Sequence, residues 1–306
     1  MSVPTLADSR VLVTGASGFI GARLLERLQG ERVELHAVSR RPQSGAGPVR
    51  WHESDLVEPD AVRRLVENTR PDVVFHLAGD TRAARNLDLV SSTFQANLVS
   101  TVNLLTAVAE HGRARVVLTG SMEEPEHGEP PSSPYAASKL AARSYGELFA
   151  AMLELPVIVL RLFMTFGPGQ QDLRKLVPYV TLSLLRGVAP QLTSGQREVD
   201  WVYIDDVAAA FVAAGACSDV AGASVDVGSG TSCSIRSLVE RLVELVDPTI
   251  APVFGAIEDR PLEQVRTADV EAAAAAIGWQ PRVSLDEGLE RTVGWYRDNL
   301  ARLSLD

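Results

Sequence analysis

The chain has 306 residues, 46% of them hydrophobic and 22% charged, with a formal net charge of −10. That length suits one large domain, or a domain with a lobe, and the balance is that of a soluble globular protein. The acidic sign argues against a nucleic-acid or anionic-membrane surface, though a local basic pocket for phosphates remains compatible with it.

Cysteine occurs only at Cys217 and Cys233, with no Cys-x-x-Cys and no His/Cys cluster. A disulfide framework and a metal site are therefore not expected. The opening "MSVPTLADSR" has no long apolar run, and nothing further on is apolar for long enough to span a bilayer, so the expected address is the cytoplasm.

Taken in order, "RVLVT" (10–14) leads into "GFIGARLLERL" (18–28), followed by "VELHAV" (33–38) and a third strand just before "ESDL". Then come "PDVVFHLA" (71–78), "ARVVLTG" (114–120) and "LPVIVLRL" (155–162), separated by helix-like sequence. Near-continuous Val/Ile/Leu strands alternating with amphipathic helices predict a parallel sheet covered on both faces. After Gly167-Pro168-Gly169 the rhythm changes. Helix is expected over 173–186, 205–216, 235–246, 269–277 and 285–300, strand over 199–204 and 224–228, and a Pro/acid-rich connection over 247–263. The expected fold is α/β: a Rossmann-type doubly wound parallel sheet over residues 1–165. A smaller substrate lobe over 166–306 is interleaved with it near 199–228.

"VTGASGFIG" places Gly15, Gly18 and Gly21 at intervals of three, directly after a strand and opening a helix. Such glycines let the backbone approach a pyrophosphate, which the free N–H groups of the helix then hold. In an NAD site a carboxylate about twenty positions on binds the ribose 2′-hydroxyl. Here the corresponding residues are Ser39, Arg40 and Arg41. Guanidinium forks suit a 2′-phosphate, so NADP(H) is the expected cofactor, with NAD possible. The bland alternative puts both arginines on a solvated loop. Asp55 is a candidate acceptor for the adenine amino group, or else a helix cap.

"TGSMEEPEHGEPPSSPYAASK" (119–139) runs from Ser121 to Tyr135-x-x-x-Lys139, a spacing of one helical turn. With the glycine turn and "HLAG" (76–79), these residues make the chain resemble the extended short-chain dehydrogenase/reductases. Within them it resembles the epimerase/dehydratase/ketoreductase group acting on nucleotide-linked sugars. "NLVSTVNLLTA" (97–107), "RLFMTFGPGQQ" (161–171), "DWVYIDDVAAAF" (200–211) and "LDEGLERTVGWYRDNL" (285–300) extend the resemblance over nearly the whole chain.

The resemblance implies that Tyr135 moves the proton of a carbinol or carbonyl oxygen while a hydride moves at its carbon. Lys139 would favour the phenolate and hold the nicotinamide ribose, and Ser121 would orient the same substrate oxygen. It implies a dinucleotide held by Gly15, Ser17, Gly18, Phe19, Ile20, Gly21, Ser39, Arg40, Arg41, Asp55, Leu56, Leu77, Ala78, Gly79 and Lys139. It also implies a homodimer through two long helices, 88–111 and 134–154.

Several positions depart from the family. Ser121-Met122-Glu123 matches the Thr-x-Glu pattern of the dehydratases and also the Ser-x-Glu run of some decarboxylases and 4-ketoreductases, so Glu123 is a catalytic candidate that does not choose a reaction. Glu124, Glu126 and Glu129 are expected on a solvated loop, with His127 exposed among them, and the segment from Ser121 to Tyr135 is shorter than in most members. Met164 stands where epimerases and dehydratases usually carry an asparagine, and a thioether donates no hydrogen bond. Arg174 and Lys175 lie in the segment that often faces the sugar nucleotide. Arg197 precedes by two the usual phosphate-binding arginine position, here Val199, whereas Arg260 matches the second such arginine.

The leading expectation is an NADP(H)-dependent 4-ketoreductase of a nucleotide-diphosphate sugar. The alternative is internal redox with retained cofactor: a 4-epimerase, 4,6-dehydratase or decarboxylase. A reductase of a non-sugar ketone comes next. A sensor on the same fold is disfavoured because Tyr135 and Lys139 are both present.

Overall fold

A computed structural model describes residues 6–43, 47–112, 114–126, 128–217 and 221–303. Its elements follow in chain order: β1 (Arg10–Thr14), α1 (Phe19–Leu28), β2 (Glu34–Ser39), β3 (Val49–Glu53), α2 (Pro59–Thr69) and β4 (Val73–His76). Then α3 (Asp88–Thr93), a π-helical turn (Phe94–Val99) and α4 (Ser100–His111) form one long helix, followed by β5 (Arg115–Ser121), α5 (Pro134–Leu153) and β6 (Val157–Leu162). Seven strands join in the order β3-β2-β1-β4-β5-β6-β9, all parallel, with β9 (Ala223–Val227) returning from the second half of the chain. The order reverses at β1/β4, and in such sheets ligands bind beyond the carboxyl ends at this point.

The remaining elements are β7 (Met164–Phe166), α6 (Leu176–Leu185), β8 (Glu198–Tyr203), α7 (Ile204–Ala216), β10 (Ser232–Ser234), α8 (Ile235–Val246), α9 (Val270–Ile277) and α10 (Leu285–Asn299). A small sheet, β10-β8-β7, is absent from the sequence reading because its outer strands are too short to show alternation. The Pro/acid-rich connection carries no helix or ladder, and its contacts with the body include an isolated bridge, Gln191 to Val253, and the Ser194 N–H donating to Asp259.

Two buried clusters cover the faces of the large sheet. One has Phe75, Phe211, Ile158 and Leu24, the other Leu104, Leu105, Val116 and Val159. A third, with Trp201, Tyr203, Leu238 and Leu289, fills the lobe. Helix α5 lies close on β5 because a side chain at Gly146 would come within 2.9 Å of Leu118. Cys217 and Cys233 are free thiols. Among the described residues no helix is long and apolar enough to cross a membrane, and no cluster of metal-ligating side chains occurs.

Candidate active site

The glycine turn has the shape its spacing predicts. Gly15 sits at φ +65°, and a Cβ there would lie 2.6 Å from the Ala78 nitrogen; one at Gly21 would lie 2.2 Å from the Gly15 carbonyl oxygen. Only hydrogen fits either place, so β1, β4 and α1 close into a backbone cradle. Gly18 begins α1 without a side-chain cap, which leaves the first N–H groups of the helix open to an anion. A nicotinamide dinucleotide fits this cradle.

Ser39 closes β2, with Arg40 and Arg41 exposed beyond it and the Arg41 N–H donating to Ser39 Oγ at 3.2 Å. Asp55 accepts from the Val57 N–H at 3.1 Å and is exposed; Glu58, not Asp55, stands at the N-cap position of α2, without a side-chain capping bond. Leu77, Ala78 and Gly79 line the end of β4, and Leu56 is buried against the sheet. The Ser17 carbonyl accepts from Gln171 Nε2 at 2.7 Å. Phe19 and Ile20 pack against the lobe cluster and so tie the cradle to it.

Ser121 ends β5, and α5 starts where it must for Tyr135 to face it. Ser133 caps the helix by accepting from the Ala136 N–H at 3.2 Å, and Pro134 takes the first helical position. The Ser121 side chain lies on the Tyr135 phenol's side and favours its ionised form. Lys139, one turn on and 7% exposed, donates from Nζ to the Thr119 carbonyl oxygen at 2.8 Å. Three predicted residues therefore meet at the mouth of the cradle, with Gly79 beside Lys139.

The electrostatics differ from the expectation of a lowered tyrosine. Burial pushes the Tyr135 phenol up to about 12; the Ser121 side chain opposes this, and the charges of Glu124 and Glu123 add to it. Burial also lowers the Lys139 ammonium to about 8, against the raising effect of Glu124. The chain's own groups thus hold the phenol neutral and make the lysine easier to deprotonate.

The acidic loop is only partly the solvated segment expected. Glu126 and Glu129 are exposed, and His127 lies outside the described residues. Glu124 is 1% exposed and ion-paired with Arg143 at 2.8 Å, a correction that follows from Gly120: without a side chain there, the carboxylate folds back under β5. Glu123 is held by Arg197, Nη2 to Oε1 at 2.7 Å, and Arg197 also contacts Glu263 at 3.1 Å and the Gln264 carbonyl oxygen at 2.7 Å. Two candidate residues, a catalytic acid and a phosphate ligand, are thereby occupied with each other.

Arg260 is 63% exposed on its side chain and borders a small pocket with Arg85, Glu123 and Ser132. Lys175 has its ammonium lowered, chiefly by burial, with Arg260 and Arg174 contributing in the same direction. Arg82 pairs with Asp80. Arg174 pairs with Asp172 and remains mostly exposed. Met164 lies on β7 and packs against the lobe cluster, so the structure shows a packing role for it.

Asn97 escaped the sequence reading. Set in the π-helical turn and 1% exposed, it accepts from the Asp80 N–H at 2.7 Å and donates to Ser138 Oγ at 2.8 Å. It thereby locks the loop after β4 to α5. It opens the family-like run "NLVSTVNLLTA", whose resemblance assigned no role to this residue.

The chain is 30% identical to a UDP-glucose 4-epimerase of Mycolicibacterium smegmatis, over 94% of this chain and 99% of that one. It is 26% identical to a dTDP-glucose 4,6-dehydratase of Haemophilus influenzae, over 94% and 98%. Among solved structures, the UDP-glucose 4-epimerase of Thermotoga maritima with UDP-glucose superposes with a TM-score of 0.86 at 25% identity, covering 95% of this chain and 99% of that one. A family model matches residues 11–228, a span that takes in the glycine cradle, the Ser121–Tyr135–Lys139 cluster and nearly all of the large sheet. On that match the chain belongs to the NAD dependent epimerase/dehydratase family.

Proposed function

We propose that this protein acts on a nucleotide-diphosphate sugar by oxidising and re-reducing its C4 within one site, as a 4-epimerase does. The observation that carries the reading is the meeting of Ser121, Tyr135 and Lys139 at the glycine cradle while Arg197 holds Glu123. To serve as the acid or base of a dehydration, Glu123 would have to leave that partner. The epimerase relatives support the same choice over the NADPH-consuming 4-ketoreductase that the sequence alone favoured.

When bound, the oxidised nicotinamide supplies a hydride acceptor and a positive charge beside the phenol. Ser121 holds the C4 oxygen, and Tyr135 takes its proton and later returns it. Lys139 orients the ribose and keeps positive charge near the forming phenolate. Arg260, Lys175 and Arg85 provide the cations for the diphosphate. For re-reduction to reach the opposite face of C4, the sugar must turn while the nucleotide stays held.

The 4-ketoreductase remains the second reading because Ser39, Arg40 and Arg41 suit a 2′-phosphate, and NADP is the cofactor we propose for either activity. Exposed apolar side chains on α3 and α5 support a homodimer. The deciding experiment follows UDP-glucose, UDP-galactose and nucleotide-linked 4-keto-6-deoxyhexoses by NMR, with NADPH absorbance in parallel. Interconversion at C4 without net cofactor consumption supports the epimerase. Stoichiometric NADPH loss with a ketosugar overturns it in favour of the reductase.

A further inference from the structure

The cluster at β5 contains a carboxylate that the Ser/Tyr/Lys chemistry does not use. Glu124 Oε1 accepts from the Ser121 N–H at 2.7 Å, and Oε2 accepts from Arg143 Nε at 2.8 Å. The Glu124 carbonyl oxygen accepts from Arg266 Nη2 at 2.6 Å, and its N–H donates to the Ser121 carbonyl at 3.2 Å. Its side chain is 1% exposed. A Cβ at Gly120 would lie 2.8 Å from Oε1, so the strand has a glycine where the carboxylate passes. Arg143 follows Lys139 by one turn, as Lys139 follows Tyr135, and is anchored in turn by Glu147 at 2.9 Å. The helical face that carries the tyrosine and lysine thus carries the guanidinium that orients Glu124.

A buried charge pair with hydrogen bonds to the main chain fixes geometry more than it adds stability. Ser121 is held from both sides of its peptide by one residue, and its hydroxyl accepts from the Glu123 N–H at 3.2 Å. We propose that Glu124, oriented by Arg143, is a positioning residue for the Ser/Tyr/Lys centre: it fixes the main chain of Ser121 and sets a negative charge beside Tyr135 and Lys139. This rests on the Ser/Tyr/Lys reading above. The charged and titratable groups around it are Tyr135, Lys139, Arg143 and Glu147 on α5, His76 on β4, and the Arg161–Asp226 pair on β6 and β9. Glu123, Glu126 and Arg266 complete the set. The Glu124 charge raises both Lys139 and Tyr135 toward their protonated forms.

The test uses a property of the sequence: Lys139 and Lys175 are its only lysines. Protein labelled with 13C at lysine Cε gives two side-chain resonances, assigned with Lys175→Arg, and their titration needs no substrate. In Glu124→Gln, which retains an acceptor for the Ser121 N–H, the Lys139 midpoint moves to lower pH. Turnover of UDP-galactose drops about tenfold, and its pH profile shifts in the acid direction. Glu124→Gln/Arg143→Leu, which leaves no unpaired buried charge, shows the same Lys139 shift if the single variant folds poorly. A Lys139 midpoint and pH profile unchanged in these variants, with Tyr135→Phe inactive, overturn the proposal alone. A Tyr135→Phe enzyme that still turns over removes the reading on which it rests.

Discussion

Arg197 Nη2 stands 2.7 Å from Glu123 Oε1, with both side chains largely buried, and the same guanidinium reaches Glu263. One arginine thus balances two carboxylates. Removing it leaves both without their main cation. Breaking such a group by deleting one partner costs about 3–5 kcal/mol in the fully buried limit, and somewhat less here. We expect Arg197→Ala to lower the unfolding midpoint clearly, as measured by calorimetry. Glu123→Gln keeps a hydrogen-bond acceptor and should retain turnover within about fivefold. Loss of turnover by a hundredfold or more in Glu123→Gln would return Glu123 to the chemistry and a dehydration to first place.

Lys139 offers a prediction in pH. Its folded midpoint, about 8, lies below the unfolded reference near 10.5, so between these values the unfolded chain binds more protons than the folded one. Folding stability contributed by this group therefore rises with pH across that window. Below about pH 8 the buried ammonium is a burden of about 3 kcal/mol at most. Lys139→Met should be inactive yet more stable than the parent at pH 7. Denaturant titrations should show that advantage closing as pH rises toward 10. An advantage independent of pH would mean that packing, not charge burial, sets the difference.

What the sequence showed and what it concealed divide along the same physical line. Tyr135 and Lys139 were legible because a four-residue spacing on one helix is local, and Ser121 because it ends an apolar strand. Glu124 was misread as solvated, since its burial depends on Arg143, nineteen residues away, and on the missing side chain of Gly120. Asn97 was hidden because a π-helical turn inside a long helix leaves the apolar period almost intact. The parallel sheet was readable from continuous Val/Ile/Leu runs, whereas β7 and β10, three residues each, offer no period to read.

The ribose end of the cradle makes a separate claim. Arg40 and Arg41 are exposed past Ser39, whose ladder partner on β3 is Glu53. Replacing both with glutamate should weaken NADP binding at least tenfold while leaving NAD within about threefold, as read by calorimetric titration. Gly15→Ala, strained at φ +65° and in collision with the Ala78 nitrogen, should abolish binding of both. Equal losses for NAD and NADP in the arginine variant would show that these side chains do not read the phosphate.

Apolar side chains collect on the outer helices. Leu87, Val90 and Phe94 are 84%, 47% and 47% exposed, and on α5 so are Tyr145 (40%), Leu148 (45%) and Met152 (60%). The three on α5 follow the i, i+3, i+7 rule of a single face, and α3 packs against α5. A face of this kind left to water on a monomer invites association, and one flat helical face pairs most simply with a copy of itself about a two-fold axis. The parent chain should run at twice 32.9 kDa by light scattering. Leu148→Arg/Met152→Arg should run at the monomer mass with its Lys139 titration unchanged, because the substituted face is turned away from Ser121. A parent that runs as a monomer at micromolar concentration would leave the apolar face without a second copy to cover it.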